Sequence, residues 1–306
     1  METYTPKISI GTWAYAIGPY QDNPIPLGEV IEKLKELGFD GVELGGFKPH
    51  AHPDLYPGKK EREKLVDMLK KNNLEVPSYA ADLWSFPFAE GDPEVVKKYK
   101  EFFKRSVDFC FDCGIPKIRV DTVTHTPPPE NLDPEVAWRR VKDMFSWCSD
   151  IAAEKGLTVV WEFEPGFIIN KPHEVKRMVQ EVGKNNFKVL FDTCHAHMCS
   201  VQAAKQTPPF DKLEGGAGEF ARLLKNMIGH VHVIDSDNTL HDNETSTHAP
   251  FGEGVLDFKT LLPVIRDAGY TSEWWSIDLC FWPDAWKVTK NCKSYLDNLF
   301  KELGWK

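Results

Sequence analysis

A chain of 306 residues that is 42% apolar, with ten tryptophans and nineteen phenylalanines, has ample material for a core, and its length fits one large domain or two ordinary ones. Its formal charge of −9 argues against nucleic acid as a partner, because phosphate binding relies on Lys and Arg neutralising charge along a groove. The start METYTPKISIG has no apolar signal core, and no uninterrupted apolar run approaches the roughly 20 residues that span a bilayer.

These features read as a soluble, cytoplasmic protein with no membrane partner. Seven cysteines, an odd number spread over helical and strand segments, suit a reducing compartment. Cys110 and Cys113 form a CxxC near the end of a predicted helix with no second pair nearby, and read as ordinary buried thiols.

Short apolar segments alternate with longer amphipathic ones along the whole chain. KISIGT is the first predicted strand, and a helix over 27–37, stopped by Gly38, follows it. DGVELGG pairs with a helix over 61–71, and EVPSYAA with one over 93–113 that begins at a DPE start signal. PKIRVDT precedes a helix over 134–155, LTVVWEFE one over 172–182, and FKVLFDT one over 218–227. GHVHVID with 257–268 and SEWWSIDL with 284–303 complete the series.

Eight strand-then-helix units over this length predict an α/β chain forming a (β/α)8 TIM barrel, a single domain over 1–306. A doubly wound sheet would announce itself by a glycine fingerprint after the first strand, and GTWAYAIG is not GxGxxG. The remaining longer segments, 15–26, 47–60, 123–133, 200–216 and 236–255, all follow strands, the side on which barrels build active sites.

Successive strand residues point to opposite faces, so polar positions sort by parity. Trp161 and Phe163 share one face of the fifth strand, which turns Glu162 and Glu164 into the barrel. The same argument turns His230 and His232 inward in strand seven, Ser276 and Asp278 in strand eight, and Asp192 at the end of strand six. Glu43 in strand two, and Arg119 with Asp121 in strand four, also face inward. Uncompensated carboxylates in a closed core cost several kcal/mol each. Arg119 and Lys117 supply part of a counter-charge, but at least five acids point inward, and a bound divalent metal balances them better.

The segments VVWEFEPGF, VLFDTCHAH, GHVHVID, FGEG and WSIDL, in this order and spacing, resemble the xylose isomerase-like TIM barrels of the sugar phosphate isomerase/epimerase superfamily. That superfamily includes D-tagatose 3-epimerases, 2-keto-myo-inositol isomerases and, more distantly, endonuclease IV. The likeness covers the whole chain and is strongest from Gly156 onward. It implies one divalent ion, Mn2+, Mg2+, Co2+ or Zn2+, held by Glu162, Asp192, His232 and Asp278. Glu164 competes with Glu162, but the distance of Glu162 from Gly156 matches the family's spacing. So oxygen-rich a set with a single histidine suits Mn2+ or Mg2+.

The resemblance also implies a small carbohydrate substrate, a ketose or inosose, and an assembly that in the family is often a homo-oligomer, a dimer or tetramer. Glu162 and Asp278 then carry protons to and from the carbon beside the carbonyl through a cis-enediolate, and His195 hydrogen-bonds a substrate oxygen. The family's strand-eight ligand is usually Glu, and Asp278 is shorter by about one C–C bond, roughly 1.5 Å. Elimination by a lyase, with His125 or His52 as acid, is therefore the alternative, and a sugar-binding barrel without catalysis is a second.

Trp13, Glu43, Glu164, His125 and His197 are the candidate substrate contacts, with Glu43 alternatively a partner of Arg119. His197 is expected to start the loop after strand six, and His230 to be a hydrogen-bonded core residue. Cys194 reads as packing, since adjacent residues at a strand end seldom aim at one point. The FGEG turn offers backbone amides to a phosphate, or else positions the seventh helix. An endonuclease IV-like nuclease would want a basic groove that this acidic chain lacks.

Overall fold

The structure is a computed structural model that describes residues 4–122 and 131–305. Its strands and helices alternate as β1 (Lys7–Ile10), α1 (Leu27–Glu36), β2 (Leu44–Gly46), α2 (Lys59–Lys71), β3 (Tyr79–Ala81), α3 (Pro93–Cys113), β4 (Lys117–Val120), α4 (Pro134–Ala153), β5 (Thr158–Glu162) and α5 (Pro172–Val182). There follow β6 (Phe187–Asp192), α6 (Thr193–His197), α7 (Gly216–Leu223), β7 (Ile228–Val233), β8 (Asp235–His241), β9 (Thr245–Ala249), α8 (Phe258–Asp267), β10 (Trp274–Ile277) and α9 (Ala285–Glu302).

Eight strands form one parallel sheet in the order β1-β10-β7-β6-β5-β4-β3-β2. A parallel bridge between Gly11 and Glu43 joins its two edges, with Thr12 N–H donating to Glu43 O at 2.9 Å, so the sheet curls into a barrel. The outward strand residues pack on the helices as alternation demands. Trp161 lies 5.5 Å from Phe145 of α4, and Phe163 lies 4.9 Å from Phe220 of α7. All four rings are fully buried, each contributing roughly 1.5–3 kcal/mol by leaving water.

Aspartate followed by proline starts two long helices for a local reason. The carboxylates of Asp92 and Asp133 accept the backbone N–H groups of Glu94 and Glu135 at 2.8 Å, and proline fills the first helical position, where no amide is needed. Helices α3 and α5 span the expected residues, and the others differ at their ends by a few positions. Among the described residues no helix is long and apolar enough to cross a membrane.

Two segments expected as loops carry structure. After β6 the chain runs into α6 and one π-helical turn, Met198–Gln202, so His197 sits on a helix rather than at the start of a loop. Between β7 and α8 it forms the antiparallel hairpin β8–β9, whose turn places Asp242 and Asn243 at φ 50° and 57°. The FGEG amides are already occupied. Gly252 N–H and Gly254 N–H donate to Asp235 Oδ2 at 3.0 and 3.2 Å, and Leu256 N–H to Asp235 Oδ1 at 3.0 Å, which ties the hairpin base to the start of α8.

Candidate active site and metal centre

A cavity opens at the C-terminal mouth of the barrel, with Trp13, Arg119, Asp121, Glu162, Glu164, His195, His248 and Asp278 in its wall. At its inner end four predicted ligands converge. Glu162 ends β5, Asp192 ends β6, His232 lies on β7, and Asp278 directly follows β10. Asp192 and Ser276 are both register partners of His232, which brings neighbouring inward side chains to one level. One donor atom from each of Glu162, Asp192, His232 and Asp278 lies within 4.8 Å of the others, and all four residues are buried.

His232 is the hub. Its Nδ1 lies 3.0 Å from Glu162 Oε1 and 3.2 Å from Asp278 Oδ2, and its Nε2 lies 3.0 Å from Glu43 Oε2. Burial alone would depress its pKa, but Glu43 and Glu162, with the hydrogen bond to Asp278, hold it well above the ordinary value. Burial likewise opposes ionisation of Glu162 and Asp278, yet Arg119 and His232 lower the first, and His248 and His232 hold the second well below the usual range. Asp192 is pushed up to about 7 by burial and by the charges of Asp278 and Glu162.

Asp192 Oδ1 accepts the N–H of His195 at 2.7 Å as the cap of α6, while its Oδ2 is buried without a hydrogen-bond partner. A buried carboxylate oxygen left bare is costly, and a cation would satisfy it. Three carboxylates around one imidazole, with that bare oxygen among them, fit a divalent ion that prefers oxygen ligands.

The surrounding groups orient this cluster. Trp13 Nε1 donates to Asp278 Oδ1 at 2.6 Å, and the indole folds back over Gly11, where a Cβ would lie 2.1 Å from the ring. Arg119 Nε lies 2.8 Å from both Asp121 Oδ1 and Glu162 Oε2. Glu164 bonds Thr245 Oγ1 and is pushed up to about 8 by burial and the Glu162 charge, with Arg119 opposing. His195 Nδ1 pairs with Ser246 Oγ at 2.9 Å, and burial pushes this ring down to about 3.

Of the predicted substrate contacts, Trp13 and Glu164 line the cavity. Glu43 does not. Fully buried beneath His232, it accepts from His230 and His232 at 3.0 Å each and makes no pair with Arg119. His197 points to the hairpin, with Nε2 2.7 Å from Asn238 Oδ1, outside the cavity wall. His52 is also outside it, against Asp54 and Phe102, and His125 lies outside the described residues. His230 is bonded to Glu43 and Ser276, and Cys194 donates to Thr247 O with its thiol pushed well up by burial.

Sequence reasoning missed His248. It lines the cavity from β9, with Nδ1 3.0 Å from Asp278 O and 3.7 Å from Asp278 Oδ1, its ring 4.8 Å from that of His195, and its Nε2 buried without a partner. The signal was faint. Ser246 and His248 are both buried on one face of TSTHA while Thr245 and Thr247 are not, and the polar turn that makes this a strand contains no glycine.

Residues 31–291 match the family described as xylose isomerase-like TIM barrel. Fructoselysine 3-epimerase of Shigella flexneri is 25% identical over 255 residues, 80% of this chain and 83% of that protein. Inosose dehydratase of Geobacillus thermodenitrificans is 24% identical over 293 residues, 86% of this chain and 87% of its own. The crystal structure of the IolI protein with a bound zinc atom superimposes with a TM-score of 0.73 at 16% identity, covering 96% of this chain and 98% of that one.

Proposed function

The chain belongs to the xylose isomerase-like TIM barrel family, and from that premise we propose that it is a divalent-metal-dependent isomerase or epimerase of a ketose, inosose or related keto-sugar. The observation that carries the reading is the convergence of Glu162, Asp192, His232 and Asp278 around the unpartnered Asp192 oxygen, at the base of a cavity large enough to be lined by side chains from most of the strands. The names of two relatives add support from the substrate side: one is a fructoselysine 3-epimerase and the other an inosose dehydratase.

The ion, Mn2+ or Mg2+ by the oxygen-rich donor set, would supply Lewis-acid polarisation of a substrate carbonyl. Glu162 and Asp278 close the two ends of the four-strand arc β5, β6, β7 and β10, and they remove and return the proton on the carbon beside that carbonyl. Trp13 fixes Asp278 through its Oδ1 oxygen, and Arg119 fixes Glu162 through Oε2. His195 and His248 stand side by side above them and hydrogen-bond the substrate oxygens. Glu164 contributes a further contact from the same wall.

Incubation of Mn2+-loaded protein with a panel of ketoses and inososes in D2O tests the chemistry, since proton removal and return leaves deuterium on carbon. Absence of deuterium from every sugar would refute it. Metal content tests the site separately. Glu162→Gln and Asp192→Asn are expected to lower bound Mn2+ after gel filtration, and unchanged content in both would overturn the ligand assignment. The likeness to a dehydratase supports a second reading, elimination of a β-hydroxyl or glycosyl group, which mass spectrometry would recognise by loss of that group rather than by deuterium alone.

A further inference from the structure

We infer that the substrate carries a neutral apolar group, preferentially an aromatic ring, attached to its sugar part, and that this group seats between Trp84, Phe47 and Phe281; the inference rests on the reading of the cavity base as a keto-sugar site. The cavity changes character from base to rim. Its base is a ring of carboxylates and imidazoles, whereas its outer wall is Ile17, Phe47, Trp84 and Phe281. These four come from separate segments, after β1, β2, β3 and β10, and converge on one opening.

Trp84 is 51% exposed although it faces the cavity, and its ring lies 6.4 Å from that of Phe47. A large exposed indole at the mouth of a binding cavity is a surface waiting to be covered. Sugar hydroxyls have little to bond there, because the three phenyl and aliphatic side chains carry no polar atom. Across the opening Phe281 is held at φ 64°, a left-handed conformation costly for a bulky residue. Its ring stacks on His241 of the hairpin at 4.0 Å and 6°, and Gly18 leaves the room it needs, since a Cβ there would come within 2.8 Å of it. Two elements thus hold this ring in place.

Charge selects against the alternative of a phosphorylated substrate. Among the described residues Arg119 is the one Arg or Lys side chain in the cavity wall, and Asp121 and Glu162 already occupy it, while the His248 imidazole there faces Asp278. In the FGEG turn the Gly252 and Gly254 amides are taken by Asp235 and that of Glu253 by Pro250 O. An appended phosphate would meet the carboxyl groups of Asp121 and Glu164 in the same wall, with no free Arg or Lys among the described residues that line it.

The test compares methyl and phenyl 3-keto-β-D-glucopyranoside, which share a ketone flanked by C–H bonds and differ in the appended group. Metal-loaded protein is expected to exchange deuterium into the phenyl compound with kcat/KM about tenfold or more above the methyl one, the scale of burying and stacking one ring. Trp84→Ala and Phe281→Ala are expected to bring that ratio close to one. A ratio near one in the unmutated protein, or one unchanged in Trp84→Ala, overturns the inference while leaving the proposed activity standing. Calorimetry with phenyl and methyl β-D-glucoside, which lack the ketone, supplies a second readout. If neither keto-glucoside reacts, 3-keto-glucosides are not turned over and binding decides: tighter phenyl binding that Trp84→Ala abolishes still supports the apolar subsite. Equal or undetectable binding of both glucosides overturns it.

Discussion

Nε2 of His232 lies 3.0 Å from Oε2 of Glu43, on the edge of the ring turned away from Glu162 and Asp278. A carboxylate in that position accepts the Nε2 proton and leaves Nδ1 as the donor for a metal, so Glu43 sets both the tautomer and the angle of the ring. Glu43→Gln keeps the shape but removes the charge. Its Mn2+ dissociation constant, measured by competition with a chelator, is expected to rise by about 10-fold or more. Affinity equal to that of the unmutated protein would show that Glu43 is only packing.

Because the ion would bind the folded chain alone, it should stabilise it. At free Mn2+ about 100 times its dissociation constant, the free energy of unfolding in urea is expected to rise by ~2.7 kcal/mol over the EDTA-treated protein. Asp192→Asn keeps the acceptor for the His195 N–H and loses the charge that faces the cluster, so the same addition should do little. A full stabilisation in Asp192→Asn would remove Asp192 from the ligand set.

The bond from Trp13 Nε1 to Asp278 Oδ1 is charge-assisted, a class worth about 1.5–3 kcal/mol. Trp13→Phe is therefore expected to lower kcat/KM by roughly 10- to 100-fold, with the fold intact by circular dichroism. Gly11→Ala should mimic it without touching the indole, because the added Cβ occupies the space into which the ring folds. Full activity in both variants would mean that Asp278 needs no such restraint.

Asp235 holds three backbone amides of the segment between β9 and α8. Removing its carboxylate strands those donors, so Asp235→Ala is expected to cost about 2 kcal/mol in urea unfolding. Since this knot anchors the hairpin that carries His248, activity should fall by more than the population of unfolded protein explains. Proportional losses would confine Asp235 to a purely architectural task.

Below the cluster, burial pushes the Lys117 ammonium down from 10.5 to about 8 against the pull of Glu43, and its Nζ lies 3.5 Å from His230 Nδ1. Between pH 8 and pH 10.5 the unfolded chain holds this proton more tightly than the folded one, so the residue's contribution to stability rises with pH across that window and is least favourable below it. Lys117→Met is expected to be more stable than the unmutated protein by ~2 kcal/mol at pH 7, with the gap closing by pH 10.5. A gap of constant size would show that the charge is not what matters there.

The convergence of the four candidate ligands was legible because each sits in or directly after a strand whose alternate residues are plainly apolar. Trp161 and Phe163 betray the direction of Glu162, and Val231 and Val233 that of His232. Strand parity is local, and a barrel converts it into depth without further information. The role of Glu43 was not legible. Its inward direction was, but nothing in DGVELGG tells that His230 and His232 from a strand near the other end of the chain would close over it. The hairpin escaped for a different reason: DSDNTLH and TSTHA have no continuous apolar face, since they pair with each other and are held to α6 by polar contacts such as Ser246 with His195 and Asn238 with His197. With the hairpin went His248 and Ser246, both neighbours of the predicted His195, and Thr245, which bonds Glu164.

That hairpin gives the enzyme a division of labour along its backbone. The four candidate ligands stand on β5, β6, β7 and just after β10, elements whose removal would open the barrel, whereas Thr245, Ser246, His248 and the His241 buttress of Phe281 all ride on one excursion of about fifteen residues. Its length, tilt or sequence can change while every strand of the barrel keeps its register. Exchanging residues 235–249 between barrels of this kind should therefore redirect which molecules are accepted, and what becomes of them, with the four converging side chains carried over intact.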